Sequence, residues 1–115
     1  MRKKVLVLAN RDFVLYNFRV EVLQRLIDEK YEVYICLPDG PKVKFMKDMG
    51  CKFVPIEIDK RGTNPIKDMK LMRDYKRIFK TVQPDMILSY TTKVCIYSGI
   101  VAGKMKIPYL VNVSG

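Results

Sequence analysis

Five short apolar segments recur along the chain, separated by polar turns and by segments of helical periodicity. The first, Val5–Ala9, is a continuous run of mostly branched apolar residues with charged residues on both sides, which is typical of a strand buried on both faces. Apolar residues then recur at three- and four-residue spacing, which predicts an amphipathic helix. These residues are Phe18, Val22, Leu23, Leu26 and Ile27. Strand, polar loop and helix make up the first half of a βαβ unit.

The same unit repeats to the end of the sequence. Further strands are predicted over Glu32–Leu37, Cys51–Ile58, Met86–Tyr90 and Ile107–Val113. Further helices are predicted over Lys42–Met49, Pro65–Val82 and Val94–Lys104. Gly50 suits the left-handed C-cap of the first of these helices. Thr63 or Asn64 can cap the second, with Pro65 at its first position. Pro55 predicts that the third strand lies at an edge of the sheet or ends early.

Two stripes at three- and four-residue spacing run along the predicted helix 65–82. The apolar stripe comprises Ile66, Met69, Met72, Tyr75, Phe79 and Val82. The basic stripe comprises Lys67, Lys70, Arg73, Arg77 and Lys80. We expect the basic stripe to be a solvated face, because no aromatic residues interleave with it as a nucleic-acid stacking platform requires. The next helix is apolar nearly all round and is expected to be well buried, with Gly99 and Gly103 allowing close approach of a neighbour.

Alternation of strands and helices with short connections predicts an α/β fold: a Rossmann-like, doubly wound parallel sheet of about five strands with helices on both faces. A length of 115 residues allows one domain. The final strand has no helix after it, so we expect the chain to be part of a longer protein. No apolar run approaches the ~20 residues that span a bilayer, and the first run is too short for a signal peptide.

Composition narrows the possible chemistry. The sequence contains no histidine, which excludes Ser-His-Asp and Cys-His nucleophilic sites and argues against zinc. Cys36, Cys51 and Cys95 form no CxxC pair and are expected to be reduced, buried thiols of a cytosolic protein. The formal charge of +10 favours nucleic acid, phosphate-bearing substrates or an anionic membrane surface, with an unpartnered basic surface as the alternative.

In a doubly wound sheet the loops that follow the strands face the ligand. These loops are predicted at Asn10–Asn17, Pro38–Pro41, Asp59–Asn64, Thr91–Lys93 and Ser114–Gly115. The first loop lacks the GxGxxG pattern, which argues against a dinucleotide site, and the chain has no GxxxxGK[ST] motif. Phosphate recognition would therefore have to use other groups.

Polar side chains near two of these loops suit sugar hydroxyls or phosphates. The first loop offers hydrogen-bonding and charged groups at Asn10, Arg11, Asp12, Tyr16, Asn17 and Arg19. Among them, Asn17 and Arg19 supply an amide and a guanidinium. Their alternative roles are a helix N-cap for Asn17 and a solvated first-turn residue for Arg19. At Thr91–Lys93, backbone N–H groups, two hydroxyls and an ammonium converge at a helix N-terminus, which predicts an anion site. A simple helix cap at Thr91 or Thr92 is compatible with that role.

At these loops the chain resembles bacterial family-4 glycosyltransferases of the GT-B fold. The segment VLVLANRDFVLYNFRVEVLQRLIDEKYEVYICLP resembles the opening of these enzymes, with Asn17-Phe18-Arg19 as their "NFR"-like helix start. Arg61–Pro65 is similar to a segment common in members that build capsule, O-antigen or exopolysaccharide. Ser89–Gly99 resembles their "TxKPNIYG" stretch, with Val94 and Cys95 in place of proline and asparagine.

The end of the sequence adds to this resemblance, because Pro108–Gly115 is similar to the start of the family's "TGLG" turn, with Ser114 in the threonine position. The resemblance implies that residues 1–115 are one N-terminal, acceptor-side domain of a retaining glycosyltransferase, without the C-terminal donor domain. Family members hold a nucleotide-sugar, commonly UDP-linked, in that second domain. Their acceptors are often lipid-linked diphosphate sugars at the cytoplasmic membrane face.

The resemblance also implies which residues line the cleft. They are Asn17, Arg19, Thr63, Thr92, Lys93 and Ser114. None of them is assigned as acid, base or nucleophile, and neither a metal nor a cofactor is implied. We expect a cytoplasmic protein, peripherally associated with an anionic membrane surface, whose isolated 115-residue chain is inactive.

Two alternatives remain open from the residues alone. A small basic α/β module that binds nucleic acid would show strongly salt-dependent affinity for DNA or RNA. An accessory subunit of a split glycosyltransferase would pair with a separate catalytic domain. A phosphoacceptor receiver is disfavoured because Ala9-Asn10-Arg11-Asp12 lacks the acidic pair that such domains carry after the first strand.

Overall fold

The computed structural model of the chain describes residues 3–58, 65–90 and 92–112. Five strands lie in the described part: β1 (Lys4–Leu8), β2 (Glu32–Leu37), β3 (Lys52–Pro55), β4 (Met86–Tyr90) and β5 (Tyr109–Asn112). They form one sheet in the order β3-β2-β1-β4-β5, and every neighbouring pair is parallel. The third strand lies at an edge and ends at Pro55, so both predictions for it are confirmed.

Five helices connect these strands: α1 (Asp12–Phe18), α2 (Val20–Asp28), α3 (Val43–Met49), α4 (Pro65–Val82) and α5 (Thr92–Met105). Gly50 ends α3 in the left-handed conformation with φ of 115°, as predicted. Pro65 is the first residue of α4, also as predicted. The expected capping residues, Thr63 and Asn64, lie outside the described residues.

The central strand β1 is buried on both faces, as its apolar run predicted. Leu6 and Leu8 belong to the core that Tyr75 and Phe79 of α4 share with α5. Val5 and Val7 face the opposite core, which is built from α1, α2 and α3. Helices therefore cover both faces of a parallel sheet, and the prediction of a doubly wound α/β fold is confirmed.

The predicted first loop and first helix differ from the structure. Most of Asn10–Asn17 is helical, because Asp12 favours a helix start and Leu15 anchors α1 in the core. Asn17 therefore lies in the last turn of α1, and the expected N-cap role is wrong. Arg19, with φ of −131° and ψ of 11°, separates α1 from α2. The predicted loop is thus mostly a helix, α1, and the predicted first helix corresponds to α2.

The apolar stripe predicted on α4 is only partly buried. Tyr75 and Phe79 face the sheet, and Ile66, on the opposite side of the helix from Tyr75, is exposed together with Met69. The sheet and α5 cover only one side of α4, so apolar residues outside that arc remain in solvent. The basic stripe is exposed along its whole length, as expected.

Helix α5 is less buried than its composition predicted, because Ile96 and Ile100 are exposed. The expected close approach at Gly99 is confirmed, since a Cβ there would lie 3.1 Å from the Tyr109 ring. The same expectation for Gly103 is wrong: among the described residues, nothing lies within 4 Å of its Cβ position.

Candidate functional site

The strand order places a crevice at the carboxyl ends of β1 and β4. After β1 the chain moves toward β2 and β3, and after β3 it crosses to β4 and β5 on the other side. Ligands of open α/β sheets bind at such a reversal point, outside the carboxyl ends of the strands. The flanking residues are Asn10 and Arg11 after β1, and Tyr90 at the end of β4. This crevice is the candidate site.

Arg19 and Tyr90 face each other across this crevice. The guanidinium carbon of Arg19 lies 5.3 Å from the centre of the Tyr90 ring, a cation–π geometry. The break between α1 and α2 places Arg19 at this position, and Tyr90 is buried at the end of β4. Burial raises the pKa of the Tyr90 phenol, and the nearby Arg19 charge acts in the opposite direction. The net effect is a neutral phenol beside a fixed positive charge.

Asn10 places an unsatisfied polar atom beside the crevice. Its side-chain oxygen is buried and has no hydrogen-bond partner in the described part of the chain. Leaving a buried acceptor unpaired costs about 1–3 kcal/mol, so such atoms usually have a partner such as an ordered water. Asn10 is not among the cleft residues implied by the resemblance. The sequence did indicate Asn10 as one of the polar residues of the predicted first loop, directly after the apolar run of β1.

The loops after β1 and β2 are held together by Asp12. Its carboxylate accepts a hydrogen bond of 2.5 Å from the backbone N–H of Lys42, at the start of α3. Gly40 allows this approach, because a Cβ there would lie 2.6 Å from the Asp12 carboxylate. The contact fixes two of the loops that border the carboxyl edge of the sheet.

A groove of about 830 Å³ extends the same edge toward β3. It is lined by residues that follow β2 and β3 and by one side of α4: Pro38, Asp39, Pro55, Ile56, Glu57, Ile58, Lys67, Lys70, Leu71, Asp74 and Arg77. Two of its cations have acidic partners, with Lys70 3.7 Å from Glu57 and Arg77 3.7 Å from Asp74. Groups of both signs line this groove, which suits a polar ligand with many hydroxyls.

A buried polar network supports the other side of the crevice. The Ser89 hydroxyl of β4 lies 3.2 Å from the Ser98 hydroxyl of α5, which lies 2.9 Å from the Tyr109 phenol of β5. Tyr109 donates to the carbonyl of Cys95 at 2.6 Å. The Cys95 thiol donates in turn to the Ser89 carbonyl at 3.3 Å. These bonds fix the first turns of α5 against β4 and β5, and so position the helix N-terminus.

The structure places some of the six predicted site residues near the crevice, and others lie elsewhere or outside the described residues. Arg19 lies at the crevice, and Thr92 and Lys93 form the first turn of α5 directly after β4, although their side chains are outside the described residues. Asn17 is exposed in α1, two positions before Arg19. Thr63 and Ser114 lie outside the described residues. The binding roles of all six stay predictions.

The described residues contain neither a metal-binding cluster nor a membrane-spanning helix. Among them, no group of three or more His, Cys, Asp or Glu side chains is placed to hold a metal ion. None of the described helices is long and apolar enough to cross a membrane. Cys36, Cys51 and Cys95 are free and buried, which confirms their predicted burial.

Comparison with known proteins identifies the family. The family described as "Glycosyl transferase 4-like" matches residues 4–115. The chain belongs to this family. This confirms the resemblance seen in the sequence.

Three similar proteins define the extent of the likeness. A relative from Campylobacter jejuni subsp. jejuni serotype O:2, named N,N'-diacetylbacillosaminyl-diphospho-undecaprenol alpha-1,3-N-acetylgalactosaminyltransferase, is 27% identical over 95 residues, which is 83% of this chain and 25% of the relative. A glycosyltransferase from Rickettsia africae ESF-5 superposes with a TM-score of 0.77 and 15% identity, covering 96% of this chain and 29% of that structure. MurG from Acinetobacter baumannii gives a TM-score of 0.74 and 21% identity, with 95% and 33% coverage.

The matched proteins are longer than this chain. The chain spans a quarter of the curated relative and about a third of each solved structure. Nearly all of the chain superposes on them, so its fold is that of the Rossmann-like half of a GT-B glycosyltransferase.

Proposed function

We propose that this chain is the acceptor-side domain of a retaining glycosyltransferase that transfers a hexose-type sugar from a nucleotide-sugar, UDP-linked, to a lipid-linked or glycan acceptor in surface polysaccharide biosynthesis. The family match and the crevice at the carboxyl ends of β1 and β4 support this proposal. The observation that carries it is the Arg19 guanidinium held against Tyr90 at that crevice. A fixed cation there suits an acceptor that contains phosphate.

The acceptor class is supported by the relative and by charge. The name of the Campylobacter relative describes a sugar transferase that acts on a diphospho-undecaprenol-linked sugar. This chain carries a formal charge of +10, which favours anionic partners. We therefore place the protein in the cytoplasm, at the periphery of an anionic membrane, with a lipid-linked diphosphate sugar as acceptor.

The chain's own residues contribute position and charge in this proposal. Arg19 and the N-terminus of α5 lie on either side of the end of β4 and add positive potential there. Such fixed charges stabilise phosphate groups without reorganisation during reaction. Asn10 adds a hydrogen-bond acceptor suited to a sugar hydroxyl. The donor site is assigned to a separate domain, so the 115 residues alone bind acceptor without transfer.

Binding of a water-soluble acceptor analogue tests this function. The probe is a short-chain polyprenyl diphosphate sugar, titrated against the folded chain by calorimetry. We expect Arg19→Gln to weaken binding about tenfold, the effect of losing one charge-assisted contact. Arg25→Gln is the matched control, because Arg25 is exposed on α2 and pairs only weakly with Glu29 at 3.7 Å.

Two results would overturn the acceptor role: no binding of the analogue, or equal affinity in the wild type and Arg19→Gln. A parallel titration with double-stranded DNA addresses the nucleic-acid alternative. Tight, salt-sensitive DNA binding in the absence of analogue binding would replace the transferase proposal with that alternative.

A further inference from the structure

The groove beside β3 differs in charge from the chain as a whole. We call this groove of about 830 Å³ the β3 groove. The charges among its described lining residues are balanced: three cations, Lys67, Lys70 and Arg77, and three acids, Asp39, Glu57 and Asp74. The whole chain has a formal charge of +10, and such an excess attracts anionic partners. The balanced lining of the β3 groove favours a neutral polar ligand instead.

Two pairs of opposite charges in the β3 groove leave room for a hydroxyl between them. Lys70 Nζ lies 3.7 Å from Glu57 Oε2, and Arg77 Nη2 lies 3.7 Å from Asp74 Oδ1. Direct charge-assisted hydrogen bonds are about 2.7–2.9 Å long, so each pair can still bond a third group. A hydroxyl both donates and accepts, so it can donate to the carboxylate and accept from the cation of one pair. Each pair therefore suits one hydroxyl of a sugar.

Asp74 is the most enclosed of these four charged groups. Its side chain is 18% exposed, against 64% for Lys70, 71% for Arg77 and 92% for Glu57. Burial raises the pKa of the Cys36 thiol in β2, and the negative charge of Asp74 raises it further. The Asp74 carboxylate therefore lies close to β2, deep in the groove, where a hydrogen bond to a ligand competes less with water.

Apolar residues form the rest of the described lining. They are Pro38, Pro55, Ile56, Ile58 and Leu71. Ile56 and Leu71 are buried and so form the floor of the groove. A pyranose ring has C–H groups on its faces and hydroxyls around its edge, which matches an apolar floor with polar walls. The volume lies within the range of about 300–1,000 Å³ that is usual for small-molecule sites.

We propose that the β3 groove is a second saccharide site, which holds neutral sugars of the acceptor other than the sugar at the crevice. The proposal rests on the proposed function, because that function supplies the acceptor. The described lining of the groove does not include Arg19 or Tyr90, so the two sites use different residues. Strand β2, which ends at the groove, is paired with β1, which ends at the crevice, and neighbouring strands lie about 5 Å apart. One oligosaccharide can therefore occupy both sites.

Titration of the whole chain with neutral trisaccharides, followed by ligand-observed NMR, tests the proposal. The probes are chitotriose and maltotriose, which contain no phosphate, and we expect at least one of them to bind. Asp74→Asn should weaken this binding about tenfold, because it removes a charged and largely buried hydrogen-bond acceptor. Arg77→Gln should weaken it less, because Arg77 is more exposed. Inorganic pyrophosphate, which the proposed function assigns to the crevice, should not displace the sugar.

Matched controls make the same charge changes outside the groove. Asp48→Asn alters an exposed carboxylate on α3, and Arg73→Gln alters an exposed guanidinium on α4. Both controls should bind the trisaccharide as the wild type does. Circular dichroism of each variant distinguishes a lost site from a lost fold, and Arg77→Gln provides the test if Asp74→Asn does not fold. Absence of trisaccharide binding, equal affinity of the wild type and the groove variants, equal losses in the controls, or displacement by pyrophosphate would each overturn the proposal.

Arg19→Gln separates this inference from the acceptor role. It should weaken binding of the polyprenyl diphosphate sugar and leave trisaccharide binding unchanged, whereas Asp74→Asn should do the reverse when the analogue carries a single sugar. Trisaccharide binding in a protein that does not bind the diphosphate analogue would overturn the proposed acceptor role and support the β3 groove. Binding of the analogue that depends on Arg19, without trisaccharide binding, would overturn this inference alone.

Discussion

The carboxylate of Asp12, in the first turn of α1, accepts a hydrogen bond from the backbone N–H of Lys42, thirty positions later in the chain. The bond joins the start of α1 to the start of α3 at the carboxyl edge of the sheet. Gly40 lies against the same carboxylate. The positions of Asp12, Gly40 and Lys42 are therefore coupled by direct contact.

Removal of the Asp12 carboxylate should destabilise the fold. We expect Asp12→Ala to lower the free energy of unfolding by about 1–2 kcal/mol, because it leaves the Lys42 N–H without its charged acceptor. Urea unfolding measures this change. Asp28→Ala is the control: Asp28 accepts an exposed side-chain bond from Gln24, and its substitution should lower the free energy of unfolding by under about 0.5 kcal/mol. Equal effects of the two substitutions would contradict the assigned role of Asp12.

The contact with Gly40 should appear as coupling between two substitutions. Gly40→Ala places a Cβ 2.6 Å from the Asp12 carboxylate, so one group must move and the bond to Lys42 is strained. We expect a loss of about 1–3 kcal/mol in the wild type and a smaller loss in the Asp12→Ala background. A double-mutant cycle measures the difference. Equal losses in both backgrounds would show that Gly40 does not act through Asp12.

The two glycines of α5 should respond differently to alanine. Gly99→Ala brings a Cβ within 3.1 Å of the Tyr109 ring, and Tyr109 is held by its bonds to Ser98 and Cys95. Gly103→Ala meets nothing within 4 Å among the described residues and should gain about 0.5–1 kcal/mol of helix propensity. We expect Gly99→Ala to be less stable than Gly103→Ala in thermal and urea unfolding. The opposite order would show that Tyr109 can shift.

Stability should fall in the alkaline range. Burial raises the pKa of the Cys51 thiol from 9.0 to about 11, so the folded state holds its proton more tightly than the unfolded state. The protonated Cys51 thiol therefore contributes to the free energy of unfolding, and this contribution is complete below pH 9 and is lost as the pH rises toward 11. Burial also raises the pKa of Tyr75, Tyr90 and Tyr109. Their titration should therefore lower the free energy of unfolding further above pH 10.

Urea unfolding as a function of pH measures this dependence. We expect Cys51→Ala to reduce the slope between pH 9 and pH 11 without removing the later loss caused by the tyrosines. A free energy of unfolding that stays constant over this range would contradict the assigned burial of these groups.

The strands could be predicted closely because their signals are local. Glu32–Leu37 and Met86–Tyr90 match the structure at both ends, since turns and charged residues bound each apolar run. Gly50 and Pro65 mark the end of α3 and the start of α4 for the same reason: each has a backbone preference that suits one position. The family followed from motifs at the predicted loops.

The site could not be predicted to the same extent because its contacts are distant in sequence. Arg19 was named as a cleft residue, but its position over Tyr90 depends on the break between α1 and α2, and the residues of α1 were predicted to form a loop. The exposure of Ile66 depends on how much of α4 the sheet covers, which periodicity does not specify. The unpaired oxygen of Asn10 is a property of packing alone.

The strand order also has a consequence for how the chain folds. β1 pairs on one side with β2, which follows it closely, and on the other side with β4. The backbone N–H of Asp85 donates to the carbonyl of Lys4, and the backbone N–H of Lys4 donates to the side-chain carboxylate of Asp85, so two bonds join residues 81 positions apart. Closing that distance costs chain entropy before any contact is gained, so we expect β1, β2 and β3 to associate first, and β4 to dock later together with β5. We therefore expect the crevice, which lies between the ends of β1 and β4, to form only when β4 has docked.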